Sequence, residues 1–216
     1  MSKLAAFALA VVVTLLGVLP AAAQSRGRPG DFDFWVLSLS WSPSWCEATG
    51  AARGDAQCAR PFAFVVHGLW PQWQRGFPSD CPTGEPGPSR ADVDGVLDVM
   101  PSPGLVRHEW RTHGTCSGLS ARTYFSVIRK LSEKIRIPDE YKAPDRPRLV
   151  DTRGVETAFM ATNKGLDADE ISIFCSDRRL QEVRVCLKKD LSAFAKCPEV
   201  ERRDCRSAKV YMPAVR

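Results

Sequence analysis

Runs of apolar residues, some continuous and some alternating with polar residues, predict four β-strands in this chain of 216 residues. Both patterns are typical of strands when turn-forming residues bound them. The strands are expected over 32–41, 62–67, 170–175 and 180–187. The second strand would end at His67, where Gly68 lets the chain bend. A turn at 176–179 would join the last two.

Apolar residues recur at helical spacing through the middle of the chain. Helices are expected over 89–100, 105–113, 119–137 and 152–163. Segments rich in Gly, Pro or polar residues predict loops over 46–60, 73–88 and 139–150. The tail after 188 has little apolar pattern. Strands at both ends and helices between them predict an α+β fold, with a mostly antiparallel central sheet and helices packed beside it.

The first 23 residues have the pattern of a cleaved signal peptide. Lys3 gives a positive start, residues 4–19 form an uncharged apolar run, and Pro20-Ala21-Ala22-Ala23 supplies small residues before a cleavage site at Gln24. The alternative is a transmembrane anchor. The apolar run is short for spanning a bilayer, and the small residues that follow it favour cleavage, so an anchor is disfavoured. The remaining residues, 24–216, have the size of one domain.

The cysteines indicate the compartment in which the protein folds, and the net charge bears on the kind of partner it binds. All eight cysteines follow the expected cleavage site, which indicates an oxidising compartment, periplasmic or extracellular, and up to four disulfides. Spacing alone cannot choose the pairs, and a zinc site is disfavoured because no tight Cys-x-x-Cys pair exists. The net charge of +5 suits an anionic partner, although an ordinary soluble surface explains it equally well.

The chain has three histidines, and all lie in two short stretches that contain Trp and Gly, 64–72 and 108–116. On a helix, Glu109 and His113 are four residues apart and share a face, whereas His108 and His113 point apart. A zinc hydrolase would need histidines four apart with a glutamate beside the first, so this spacing disfavours one.

Acid–base chemistry without a metal fits these residue types better. Cleaving RNA needs a base for the ribose 2′-OH, an acid for the leaving 5′-oxygen, and donors to the phosphate oxygens. Taken singly, each histidine could be structural, Glu109 a surface acid, and Trp70 and Trp110 core. Their joint arrangement favours the catalytic interpretation. Because such a site uses the 2′-OH, DNA would be refused.

The two stretches resemble the active-site segments of the ribonuclease T2 family of secreted endoribonucleases. The matching residues are His67-Gly68-Leu69-Trp70-Pro71 and His108-Glu109-Trp110-x-x-His113-Gly114-Thr115-Cys116. The resemblance implies cleavage of single-stranded RNA to a 2′,3′-cyclic phosphate, followed by slower hydrolysis to a 3′-phosphate. It implies His113 as base and His67 as acid in the first step, with His108 and Glu109 on the phosphate. It implies no cofactor, and activity best at mildly acidic pH.

One departure from the family stands at Thr112, where members usually have lysine before the second histidine. Arg111, Arg107 or His108 would then have to supply the positive charge, or turnover would be reduced. Thr112 also favours the alternative of a catalytically weak member that binds RNA or a protein. For the substrate, we expect contacts from Trp41, Trp70, Trp73 and Arg111, with Trp41 and Trp73 exposed.

The resemblance also implies a disulfide pattern, and with it a secreted monomer that acts on RNA and not on a membrane. The implied pairs are Cys81–Cys116, Cys175–Cys205 and Cys186–Cys197, which leaves Cys46 for Cys58. The first pair would fix His113, three residues away, against His67.

Overall fold

A computed structural model describes residues 27–216, so the expected signal peptide and its cleavage site lie outside the described residues. The strands form one sheet in the order β2-β1-β5-β6-β3, and β4 pairs with β5. They are β1 (Phe34–Trp41), β2 (Phe64–Gln72), β3 (Arg148–Asp151), β4 (Ile171–Ser176), β5 (Arg179–Lys188) and β6 (Lys209–Met212). All pairs are antiparallel except β5 with β6, which confirms the α+β fold and its mostly antiparallel sheet.

The helices lie largely where the periodicity predicts them. They are α1 (Ser42–Trp45), α2 (Arg90–Asp94), α3 (Pro103–Thr112), α4 (Ala121–Lys134), α5 (Thr152–Thr162) and α6 (Pro198–Glu201). The side chain of Ser120 accepts a hydrogen bond from the Thr123 N–H and so caps α4. The helix expected over 89–100 is shorter than predicted because α2 ends before Gly95.

Three expectations about loops and strand ends were wrong. The segment 139–150, expected as a loop, begins with a helical turn at Asp139–Tyr141 and ends in strand β3. The segment 46–60 contains short helical turns, at Cys46–Gly50, Ala51–Arg53 and Ala56–Ala59. Strand β2 does not end at His67 but continues to Gln72. It can include Pro71 because β2 lies at the edge of the sheet, where a missing N–H breaks no ladder.

The core lies between the sheet and the helices. Tyr124 on α4 is fully buried, and its hydroxyl donates to the Leu69 carbonyl of β2 at 2.7 Å. The Trp110 ring packs edge-on against Tyr124, which brings α3 to the same place. These contacts hold the end of α3 against β2, the two elements that carry the histidines.

Four disulfides join the pairs that the resemblance implies, Cys46–Cys58, Cys81–Cys116, Cys175–Cys205 and Cys186–Cys197. Cys81–Cys116 ties the loop after β2 to the segment after α3. Within residues 27–216, no helix combines the length and apolar character needed to cross a bilayer.

Candidate active site

A β-bulge places His67. Ser38 of β1 lies opposite Gly68 and Leu39 lies opposite Val66, so His67 is an extra residue without a partner on β1. Bulges of this kind redirect a side chain and bend the strand locally. The His67 side chain is about one-third exposed.

The Glu109 carboxyl group lies beneath His67 and is almost fully buried, with 1% of the residue exposed. Its Oε2 accepts a hydrogen bond from the Trp70 indole N–H at 2.8 Å, and its Oε1 lies 3.6 Å from His67 Nε2. Burial raises the pKa of Glu109 to about 7, although the His67 charge and the Trp70 hydrogen bond oppose the rise. Glu109 can therefore hold a proton near neutral pH.

Gly68 is required for this close packing rather than for a bend. A Cβ at Gly68 would lie 2.1 Å from Glu109 Oε2 and 2.4 Å from the Trp70 indole nitrogen. Since the residue lies within β2, the glycine serves the approach of α3 to the strand.

His113 is the residue after the last turn of α3, and its N–H donates to the Glu109 carbonyl at 2.9 Å. Its ring lies 5.5 Å from the Trp70 ring and 6.2 Å from the Phe77 ring, centre to centre. Its Nδ1 is buried without a hydrogen bond in the described part of the chain. Burial, together with the charges of His67 and His108, lowers the pKa of His113 to about 3.

His67 has charged neighbours where His113 has aromatic ones. Its Nδ1 lies 2.5 Å from Glu182 Oε1, and Arg184 contacts the other oxygen of that carboxylate at 2.6 Å. Burial alone would lower the pKa of His67, but the hydrogen bond and charge of Glu182 and the charge of Glu109 outweigh it. The pKa of His67 therefore lies above its ordinary value.

Both imidazoles pack against one indole. The His67 and Trp70 rings are 5.3 Å apart, and the Trp70 and His113 rings are 5.5 Å apart. A cleft of about 400 Å³ beside His67 is also lined by His108, Trp45 and Asp55. A second cleft, of about 200 Å³, is lined by Trp70, His113, Phe77 and Arg184. The site thus has a pocket beside each of the two histidines.

The chain matches the Ribonuclease T2 family over residues 32–197, which include both histidine stretches. A ribonuclease of Aeromonas hydrophila is 35% identical over 91% of this chain and 93% of its own length. The chain belongs to the ribonuclease T2 family. It is therefore a ribonuclease.

Solved structures share the fold of this ribonuclease. An RNase-related protein from Calystegia sepium is 19% identical, with a TM-score of 0.67 over 86% of this chain and 98% of its own. RNase NT, solved in complex with 5′-AMP, is 22% identical, with a TM-score of 0.65 over 85% of this chain and 99% of its own.

Within this ribonuclease, the structure brings together His67, Glu109, His113 and Trp70. His108 is exposed and lines the cleft beside His67. The family resemblance had led us to expect a cation near position 112, and three candidates differ in where they lie. Arg111 lines neither cleft, and Arg107 donates to the Pro103 carbonyl. Of these three residues, His108 is the one that borders either of the two clefts described above.

Two of the four expected substrate contacts, Trp73 and Arg111, line neither cleft, whereas Trp70 lines the cleft beside His113 and Trp41 borders the cleft beside His67. The expectation that Trp41 is exposed was wrong, because it is 0% exposed and its indole N–H donates to the Pro213 carbonyl. Trp73 is half-buried, donates to the Asp31 carbonyl and lines neither cleft. An extended segment buries alternate side chains, so an aromatic residue near a motif can face the core.

Glu182 and Arg184 were not predicted from the sequence as parts of the site. One signal was available, since Glu182 stands between Leu180 and Val183 in a strand predicted from its apolar residues. A carboxylate at such a position needs a partner. The identity of that partner is set by the tertiary structure, because His67 lies far away in sequence.

Proposed function

We propose that this ribonuclease is a metal-independent endoribonuclease that cleaves single-stranded RNA by transesterification. In the first step the ribose 2′-oxygen forms a bond to phosphorus and the bond from phosphorus to the 5′-oxygen breaks. The products are a 2′,3′-cyclic phosphate and a free 5′-hydroxyl. Water then opens the ring to give a 3′-phosphate.

Two imidazoles that pack against one indole, with pKa values shifted in opposite directions, carry this proposal. The lowered pKa of His113 keeps its imidazole neutral near pH 7, ready to take the 2′-OH proton. The raised pKa of His67 favours the imidazolium, which can give its proton to the departing 5′-oxygen. Water attack on the cyclic phosphate uses the same pair with the roles exchanged.

The phosphate would lie between the two histidines, near Glu109 and His108. An ionised Glu109 would repel the phosphate, but its raised pKa lets it carry a proton and donate to a phosphate oxygen. His108, exposed in the cleft beside His67, would add a positive charge when protonated. Trp70 holds Glu109 by its N–H and touches both imidazoles, so we assign it to shaping the site.

The substrate class follows from the mechanism, and the disulfides bear on the location. A mechanism that begins at the 2′-OH acts on RNA and refuses DNA. The cleft beside His67, bordered by Trp45, could receive an unpaired base of a single strand. The four disulfides support a periplasmic or secreted protein after signal-peptide removal. We propose that it works as a monomer without a cofactor.

One assay tests the function. Purified protein is incubated with RNA in excess chelator, and the products are examined for ends that carry a cyclic phosphate. We expect such ends from the native protein and none from His67→Ala or His113→Ala. Binding of RNA without cleavage would instead support the binding-module alternative that Thr112 suggests. Loss of activity in chelator would overturn metal independence.

A further inference from the structure

Glu182 lies in the middle of the sheet, on β5, where Ser40 of β1 and Phe174 of β4 are its neighbours in register. Only 7% of the residue is exposed. Transferring an isolated carboxylate to such a place is costly, so its partners must offset the loss of water. Its two oxygens are divided between two cationic groups.

The first oxygen, Oε1, lies 2.5 Å from His67 Nδ1. The second, Oε2, accepts from Arg184 Nε at 2.8 Å and lies 2.6 Å from Arg184 Nη2. Both guanidinium nitrogens contact this one oxygen, so Arg184 anchors Oε2 and leaves Oε1 to His67. A carboxylate anchored at one oxygen can in turn hold, through the other, the imidazole that it contacts.

Arg184 is itself held in place. Its guanidinium lies over the Phe174 ring at 4.4 Å and over the Trp70 ring at 5.2 Å. Stacking on two aromatic rings restricts the guanidinium more than a surface ion pair would. Side-chain contacts therefore run without a break from the two aromatic rings to Arg184, from Arg184 to Glu182, and from Glu182 to the imidazole of His67.

We infer that Glu182 is a positioning residue for the reaction: held by Arg184, it engages His67 Nδ1 so that Nε2 alone presents a proton to the leaving oxygen. The inference rests on the proposed function, in which His67 is the acid. His67 Nε2 lies on the Glu109 side of the ring, 3.6 Å from Glu109 Oε1. A carboxylate that orients a histidine through one nitrogen leaves the other nitrogen for catalysis.

Glu182 also affects the charge of His67. The groups that face His67 are the carboxylates of Glu182 and Glu109 and the cationic or basic groups of Arg184 and His113. Against the burial of the ring, Glu182 gives the largest contribution that raises the pKa of His67. The acid therefore stays protonated to higher pH, and activity should fall as pH rises through the His67 pKa. Without the Glu182 charge, that fall should begin at lower pH.

Glu182→Gln tests this, with Glu47→Gln as a matched control. Glu47 is also a carboxylate paired with an arginine of β5, since its Oε2 lies 2.6 Å from Arg179 Nη1, but neither residue lines either cleft. With an RNA dinucleotide at pH 7, we expect Glu182→Gln to lower kcat by about ten- to a hundredfold. The alkaline limb of the pH–rate profile should move to lower pH, and KM should change little. Glu47→Gln should leave both kcat and the profile in place.

A substrate with an activated leaving group sharpens the test. A nucleoside 3′-(4-nitrophenyl phosphate) releases an anion that needs no proton. The defect of Glu182→Gln should therefore largely disappear with this ester if Glu182 acts through the acid. An equal defect with both substrates, or an alkaline limb that coincides with that of the native protein, would overturn the inference.

Nuclear magnetic resonance of the native protein gives a readout that requires neither activity nor a folded Glu182 variant. With ¹⁵N-labelled histidine, and with the signals assigned by their loss in His67→Ala, we expect His67 to titrate above its ordinary pKa. In the neutral form it should keep its proton on Nδ1. A neutral His67 with its proton on Nε2 would overturn the inference even if the protein cleaves RNA. Absence of cleavage with the Nδ1 tautomer present would overturn the proposed function instead.

Discussion

The two sides of the Trp70 indole give the same side chain opposite properties. On one side, His67 contacts the carboxylates of Glu182 and Glu109, and its pKa is raised. On the other, His113 packs near Phe77, its Nδ1 has no hydrogen bond within residues 27–216, and its pKa is lowered to about 3. Pairs of titratable groups whose surroundings push their pKa values apart are well suited to act as acid and base. In the proposed function, the surroundings of each histidine, and not the residue type, therefore assign the roles.

The two sides also differ in how the chain holds the histidine. His67 lies in a bulge of a strand and is braced by side chains from another strand. His113 follows the end of a helix, and the nearby Cys81–Cys116 bond ties that end to a loop. One side therefore depends on a polar network and the other on a covalent link. These two dependences can be broken separately by mutation.

The largest expected effect separates acid from base. On an RNA dinucleotide, His67→Ala and His113→Ala should each lower kcat by about 10²–10⁴-fold, since each removes one proton transfer. With a nucleoside 3′-(4-nitrophenyl phosphate), His67→Ala should recover most of its rate, because the leaving group needs no acid. His113→Ala should stay impaired, because the 2′-OH still needs a base.

The measurement is the ratio of rates on the two substrates for each variant. The reverse pattern, with recovery in His113→Ala, would exchange the two roles. Recovery in neither variant would mean that neither histidine acts by protonating the leaving group.

The covalent link on the His113 side is the next feature to break. Cys81→Ala with Cys116→Ala opens a bridge of sequence separation 35, and Cys175→Ala with Cys205→Ala opens one of separation 30. Loop entropy predicts a similar loss of about 4 kcal/mol in the free energy of unfolding for each. Only the first should also lower kcat, by about a hundredfold, because misplacing a catalytic group by about an ångström is enough.

Denaturant unfolding and kinetics, at a temperature where both variants are folded, check this expectation. The second double variant is the control, since its bridge joins β4 to the tail and does not touch α3. An equal loss of kcat in both variants would show that the bridges act through general stability alone.

The contrast between the two sides also explains what the sequence could predict. His113 and Glu109 are neighbours along one helix, so their spacing alone predicted a shared face. Glu182 is 115 positions from His67, and no local pattern could name it as a partner. The bulge at His67 was equally hidden, because it depends on register with β1.

The fold shows the same division between local and distant causes. Strands β1, β4 and β5 and helices α4 and α5 follow from periodicity within each segment. Strands β3 and β6 have four residues each and pair mainly with each other, so their sequences carry little signal. Strand β2 continues past His67 through Pro71, a residue that favours strand ends unless the strand lies at an edge.

A smaller effect is expected at the contact that joins the two sides. In Gly68→Ala, the new Cβ would collide with Glu109 Oε2 and the Trp70 indole, and their hydrogen bond would have to break. We expect kcat to fall by about tenfold, together with a lower Tm. Gly84→Ala is the control, because a Cβ there meets nothing within 4 Å. Unchanged kcat in Gly68→Ala would show that the Trp70–Glu109 contact does not organise the site.

The smallest expected effect is a gain. Thr112 is half-buried at the end of α3, beside His113, where the family resemblance leads us to expect lysine. Thr112→Lys would bring an ammonium group toward the phosphate, and its added charge should raise kcat by a few-fold at low ionic strength. Thr123→Lys is the matched control, since it adds the same charge on the exposed surface of α4, away from both clefts.

Rates measured from low to high salt decide the result, because screening should remove most of a gain that comes from charge. Equal gains in both variants would indicate general attraction of RNA to a more basic protein. No gain in Thr112→Lys would indicate that His108 or Arg184 already supplies the charge. If Arg184 supplies it, the polar network around His67 serves the phosphate as well as the acid.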